Sequence, residues 1–213
     1  MKLTTLAFKD STYGRLKRYF QERKFRRHVR SNRGKALKIV VGSSGIFQKE
    51  WIPSEIHFLN LLNEANWLRY FNDDEVDLIV AEHVWEHLTS DQGICAANTC
   101  FRFLRKGGNL RVAVPDGYHV NEEYITYVRP GGKGAGADDH KVLYNYQTLS
   151  QLFQQCGFEV QLLEYFDEQG VFHAAHWTDD KGFVRRSMEN DPRNADGQPN
   201  YTSLIIDAKK PEV

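Results

Sequence analysis

Two stretches of this 213-residue chain place chemically capable residue types at close spacing. The first is Val41-Gly42-Ser43-Ser44-Gly45, a glycine-bearing turn directly after a β-branched run. Glycines there allow positive φ and let a ligand approach the main chain, although many such turns carry Gly only to make the connection. The dinucleotide fingerprint G-x-G-x-x-G is absent, as is a P-loop lysine, which counts against NAD and ATP. Glu55 follows Gly45 by ten positions. A carboxylate there can accept both hydroxyls of a ribose, or remain a solvated strand-end charge. Asn60 can bond an adenine edge or begin a turn.

The second stretch is Ala81-Glu82-His83-Val84-Trp85-Glu86-His87-Leu88. Within it, His83-x-x-Glu86-His87 has the form H-x-x-E-H. On a helix, His83 and His87 would share a face suited to zinc. The motif directly follows a buried strand, however, and no third ligand can be named. The sequence therefore assigns no metal.

The elements that must position these residues alternate in type. Residues 37–41, 76–81, 109–114, 158–166 and 201–208 read as strands, with 51–56 and 57–61 as two short extended pieces. Residues 63–71 read as a helix. A second helix is capped by Thr89 or Ser90 and runs to Lys106, ended by Gly107-Gly108; a third starts at Asn145 or Thr148 and reaches Cys156. Residues 129–140, with four glycines, form a long loop. Alternating strands and helices predict an α/β fold with a doubly wound, mostly parallel sheet and an antiparallel C-terminal strand pair. Gly45 and Trp51 are too close for a full crossover helix. The first crossover helices are thus expected to be reduced, with the N-terminal segment covering the face left open.

Composition narrows the class. Hydrophobic residues at 41% and charged residues at 26% exclude wholesale disorder. No apolar run reaches the roughly 18–20 residues of a membrane helix. The start, Met1 to Lys9, breaks its apolar stretch too early for a secretory signal. Three cysteines (Cys95, Cys100, Cys156) without framework spacing suggest a reducing compartment. The expectation is a cytoplasmic protein, peripheral at a membrane if its arm binds one. Residues 1–38 hold 13 Lys/Arg against 2 Asp/Glu, a net of +11, so the remainder, 15 basic against 26 acidic, is −11. A basic helical arm, residues 1–35, thus joins a body of residues 36–213. Leu16, Tyr19, Phe20, Phe25 and Val29 form a thin apolar stripe on the arm, which ends near Gly34. Residues 9–35 suit an anionic membrane surface or nucleic acid, or pack on the chain's own acidic body.

Taken together, 38–45, 51–55, Leu59-Asn60, 76–88 and Leu104-Arg105-Lys106-Gly107-Gly108-Asn109-Leu110-Arg111-Val112-Ala113-Val114-Pro115-Asp116-Gly117 resemble the class I S-adenosylmethionine-dependent methyltransferases. The resemblance is strongest to a compact, largely uncharacterised bacterial branch, and spans about residues 36–211. It implies a Rossmann-like sheet and S-adenosylmethionine as cofactor. By that resemblance Gly42, Ser43 and Gly45 pass the cofactor's methionine end, Glu55 takes the ribose, and Asn60 lies beside the adenine. Glu82 and His83 then face the sulfonium and the substrate. Ser44 stands where relatives commonly have Gly, and Glu55 and Asn60 replace the more usual Asp. If a catalytic base exists, His83 is the first candidate, followed by Asp116 at a strand end and His140 at the end of the glycine loop. His173, His176 and Trp177 line a substrate pocket or simply fold their loop. The acceptor is expected to be a small molecule, sugar or lipid-linked group rather than nucleic acid. A non-catalytic adaptor that docks an anionic partner through the arm, or a nucleic-acid methyltransferase, is the alternative.

Overall fold

A computed structural model describes residues 12–43, 45 and 48–212. The Met1–Lys9 start and Ser44 lie outside the described residues. Seven strands form one sheet: β1 (Lys38–Val41), β2 (Ile52–Pro53), β3 (Val76–Glu82), β4 (Leu104–Pro115), β5 (Glu159–Phe166), β6 (Phe172–Ala174) and β7 (Ser203–Lys209). Their order is β2-β1-β3-β4-β7-β5-β6. β1 runs parallel to both β2 and β3, and β3 runs parallel to β4. β7 is antiparallel to β4 and to β5, and β6 closes the edge as an antiparallel hairpin strand. This is the expected Rossmann-like α/β sheet, with one more edge strand than the sequence indicated.

Helices are α1 (Thr12–Asn32), α2 (Glu64–Trp67), α3 (Ser90–Phe103), α4 (Glu122–Val128) and α5 (Tyr146–Gln155). Between β1 and β2 the described residues form turns, so the first crossover is indeed reduced. Residues 57–61 are turn rather than an extended piece, and the 63–71 helix shrinks to the single α turn of α2. Both departures have one cause. Phe58, Leu59, Trp67, Tyr70 and Phe71 are all buried in the main core, and placing so many large side chains on one side outweighs regular backbone geometry.

Thr89, not Ser90, caps α3, in a reciprocal capping box with Gln92. Asn145 caps α5 in the same way. α3 ends at Phe103, and Gly107-Gly108 lie inside β4 instead of ending a helix. A Cβ on Gly108 would sit 2.8 Å from the Arg105 carbonyl oxygen and 3.0 Å from that of Asp77. That crowding marks a kinked strand, where the β3–β4 register shifts between Val76 and Leu78.

α1 docks by its second half. Phe25 and Val29 are buried, and the Phe25 ring lies 5.0 Å from those of Phe58 and Tyr70. The expected continuous stripe is therefore split, since Leu16, Tyr19 and Phe20 are exposed. The contact is basic arm on acidic body at one place, where Arg33 Nε lies 3.2 Å from Glu75 Oε1, and has the reverse sense at another. The arm's own Glu22 accepts from Arg69 at 2.6 Å and Tyr70 at 2.8 Å, while Arg15, Lys17, Arg23, Lys24, Arg27 and Arg30 stay exposed.

Candidate active site

β1 hands the chain to β2 on one side, and the chain then returns to β3 on the other. This reversal opens a crevice at the carboxyl ends of β1 and β3, where open α/β sheets place their ligands. A cavity of about 250 Å³ lies there. Its walls are Val41, Gly42 and Ser43 from β1 and the turn after it, Glu82 and His83 from the end of β3, and Pro115 from β4. Glu86 and His87 come from a 3-10 turn, Gly134, Ala135 and His140 from the glycine loop, and Phe183, Arg185, Arg186 and Tyr201 from the late excursion.

The glycine turn is conformationally specific. Gly42 sits at φ +62° and Gly45 at φ +86°. A Cβ on Gly42 would meet Val84 Cγ2 at 3.0 Å, whereas no atom of the described residues lies within 4 Å of a Cβ on Gly45. Ser43 donates its hydroxyl to Glu55 Oε1 at 3.1 Å, tying the acidic strand-end residue to the cavity wall. Asn60 is not among the wall residues. Its side-chain oxygen accepts from Leu62 N at 2.9 Å, so it begins a turn.

Glu82 lines the cavity, but its two carboxylate oxygens accept the amides of Arg185 and Arg186, at 3.1 and 2.9 Å. That clamp holds the late excursion over the site. His83 occupies the left-handed region at φ +55°, a strained conformation that an active-site corner can sustain. Its Nδ1 lies 2.8 Å from Glu86 Oε1 and its Nε2 3.1 Å from Ser203 Oγ. Ser203 arrives because antiparallel β7 begins beside Pro115, where β4 ends. With both ring nitrogens of His83 engaged, His83 and His87 do not share a ligand face. His87 instead meets His140, ring centroids 4.8 Å apart.

Glu86 is 1% exposed. Burial would raise its carboxyl, yet the neighbouring imidazoles of His83 and His87 outweigh this and hold it below the ordinary value. His140 passes Nδ1–H to the Val128 carbonyl at 2.6 Å, and burial shifts the imidazole downward. Tyr144, buried near the Glu86 charge, is pushed up to about 12.

Asp116 is fully buried and absent from the cavity wall. It accepts the amides of Tyr118 at 2.9 Å and Phe166 at 2.7 Å, and burial pushes its carboxyl up to about 6. Its neighbour His119, 5% exposed, is moved the other way, to about 4, by burial. His119 Nδ1 accepts from Asn121 N, which fixes the neutral ring. Because the folded-state value lies below the unfolded one, the stability His119 contributes is present above about pH 6.5 and is lost as pH falls through 4. Asp116 acts oppositely over the same window. Denaturant titrations of wild type and His119→Gln should therefore converge by up to about 3 kcal/mol between pH 7 and 4. A pH-independent difference would remove this account.

Sequence reasoning missed the partners that immobilise the site, Ser203, Arg185 and Arg186, and Arg111, which anchors the excursion. Arg111 is 1% exposed. It bonds Asp207 at 2.8 and 3.0 Å and donates to the carbonyls of Thr178 and Gly182 at 2.7 Å each. An arginine inside a strand read as apolar was the available signal. His173 pairs with Asp167 at 2.6 Å, and Trp177 donates to Glu164 at 3.0 Å, so both order their own loops.

No family model matches the chain, and no curated protein matches it. Among solved structures, a SAM-dependent methyltransferase from Thermotoga maritima is 14% identical, with 95% of this chain and 97% of that chain covered, at a TM-score of 0.49. One from Archaeoglobus fulgidus is 15% identical, covering 97% and 99%, at 0.46. The Haemonchus contortus phosphoethanolamine N-methyltransferase 2 is 12% identical, covering 83% and 49%, at 0.43. Likeness at this level does not carry an activity across, so the chemistry rests on the residues of the cavity.

Proposed function

We propose that the chain binds S-adenosylmethionine at the carboxyl edge of β1 and β3 and transfers its methyl group to an acceptor in the same cavity. The observation that carries this reading is the pairing of Ser43 with Glu55 beside two positive-φ glycines at the sheet's switch point. The residues present fit the cofactor. The positive-φ Gly42 lies on the cavity wall, and a carboxylate has acceptor capacity beyond its one bond to Ser43. Asn60 and Glu82 fit less closely, because each is already engaged within the protein.

When bound, the cofactor supplies a methyl carbon activated by a sulfonium. The chain's part is to align, exclude water and accept a proton where the acceptor has one to lose. Glu55 orients the ribose. The Glu82 clamp and the glycine loop close the cavity. His83, Glu86, His87 and His140 are the groups that face the acceptor, and proton handling falls to them. Asp116 acts as a positioning residue, holding the amides beyond β4. A cavity of about 250 Å³ favours a small molecule, or one sugar or lipid-linked group, over nucleic acid.

Calorimetric titration with S-adenosylmethionine and S-adenosylhomocysteine tests the reading. Micromolar binding is expected. Absence of heat at millimolar ligand, with the protein folded, would remove the enzyme and leave the adaptor reading.

For the arm, we infer an anionic membrane surface. The exposed Leu16, Tyr19 and Phe20 interleave with exposed Arg15, Lys17, Arg23 and Lys24, the composition of a helix that lies in a membrane interface. No helix among the described residues is long and apolar enough to cross a membrane. Sedimentation should show binding to phosphatidylserine-containing vesicles, not to neutral ones, and loss of binding in Tyr19→Ser/Phe20→Ser. Equal binding by that variant would sink the inference, and a steep salt dependence on RNA instead would favour nucleic acid.

A further inference from the structure

Glu86 is a buried carboxyl group whose acceptor capacity is not used up within the protein. It is 1% exposed, yet neither carboxylate oxygen meets a hydrogen-bond partner among the described residues. His83 Nδ1 lies 2.8 Å from Oε1, close enough to orient the carboxylate without a well-aligned hydrogen bond. Buried acceptors left this way call for a further partner. Its other neighbours are the imidazoles of His87 and His140, and one ligand atom from each of the three residues lies within 4.8 Å of the others. We propose that Glu86, His87 and His140 form a binding site for a divalent first-row transition-metal ion on the cavity wall.

Three features of the surroundings fit this role. The first is preparation of the imidazoles. His140 Nδ1–H is committed to the Val128 carbonyl at 2.6 Å, which leaves Nε2 with a free lone pair. His87 Nδ1 lies 3.5 Å from Asp139 Oδ2, which favours the same tautomer. Carbonyl or carboxylate partners behind the ring are what orient histidine ligands in metal sites. The second is a backbone staple. The Glu86 carbonyl accepts the amides of Lys141 and Val142 at 2.6 and 3.3 Å, fastening the segment that carries His140 to the turn that carries Glu86 and His87. The third is reach. Metal–ligand bonds of 2.0–2.2 Å set tetrahedral ligands about 3.4 Å apart, so a small inward turn of the side chains closes the site.

Two imidazoles and one carboxylate select zinc, manganese, iron or cobalt over magnesium and calcium. Three protein ligands leave coordination positions open, and all three residues line the cavity. His83 stays outside the set, because Ser203 holds its Nε2 and Glu86 its Nδ1. Its part is to aim the carboxylate. An ion at this place would stand beside the acceptor, where it can hold an oxygen donor. That consequence rests on the methyl-transfer reading; the site itself does not.

The test uses the full chain, stripped with a chelator and dialysed. It is titrated with Zn²⁺ by calorimetry and with Mn²⁺ by electron paramagnetic resonance. One equivalent bound with micromolar or tighter affinity is expected, weakened at least about 100-fold in Glu86→Gln and in His140→Ala. Glu86→Gln alters a buried group, whereas His140→Ala changes a half-buried loop residue and keeps the test interpretable if the first variant does not fold. His28→Ala, on α1, should bind as wild type does. No binding by the folded protein, or binding that His140→Ala leaves unchanged, overturns the proposal. Titrating the metal-free protein with S-adenosylhomocysteine separates the two readings. Cofactor binding without metal binding defeats only this site, and metal binding without cofactor binding defeats only the transferase.

Discussion

Replacing Gly42 by Arg is expected to lower S-adenosylhomocysteine affinity at least about 100-fold while the protein remains folded, an effect larger than one lost charge-assisted hydrogen bond. Gly42 stands on the cavity wall at φ +62°, and any Cβ there approaches Val84 Cγ2 to 3.0 Å. The backbone strain costs about 1–2 kcal/mol, which a domain of this size can absorb. The added guanidinium, in contrast, takes up part of a cavity of about 250 Å³. Glu55→Ala provides the gentler companion. It removes the carboxylate tied to Ser43 and should weaken the same ligand about 10–100-fold, the range for hydrogen bonds to a charged group. Titration of both variants by calorimetry, with melting curves as the fold control, decides the matter. If both bind as wild type does, the ligand does not occupy this crevice.

Arg111→Met should cost about 3–5 kcal/mol, the expected penalty for breaking a buried pair from one side. Asp207, 3% exposed, would then keep only Asn109 at 3.0 Å and the half-exposed Lys181 at 3.3 Å. The carbonyls of Thr178 and Gly182 would lose their donor, and Trp177 the cation 4.6 Å above its ring. These contacts hold the excursion whose Arg185 and Arg186 amides clamp Glu82. The excursion should therefore open before the sheet does. Denaturant titration reads the stability loss, and faster tryptic cleavage after Lys181 and Arg185 reads the local opening. Arg111→Met/Asp207→Leu should recover most of the stability, since an apolar pair of similar volume removes the orphaned charge. A loss below about 1 kcal/mol in the single variant, or no recovery in the double, would contradict this account.

How much of this was legible in one dimension follows from the range of each interaction. β1 and β3 were readable because a strand buried on both faces must be nearly all apolar. The Thr89–Gln92 capping box and the turn at Gly157, φ +92°, are local and could be read locally. Gly107-Gly108 misled because a glycine pair signals a helix end and a strand kink equally well. Residues 57–71 misled because burial of five large side chains overrode their propensity.

The sequence by itself determined the mostly parallel sheet with its antiparallel C-terminal pair, the reduced first crossover, the glycine turn and the acidic residue that follows it. Each depends on a handful of adjacent residues. Only the tertiary structure decided which chemistry-bearing groups meet. His83 finds Ser203 across 120 positions and Glu82 finds Arg185 across 103, because antiparallel β7 and the excursion before it return to the carboxyl edge of the parallel strands. His140 replaces His83 as the partner of His87 because the motif folds as a 3-10 turn, leaving His83 held between Glu86 and Ser203. No local pattern encodes such meetings. They arise when the sheet closes and burial requires its polar groups to find partners.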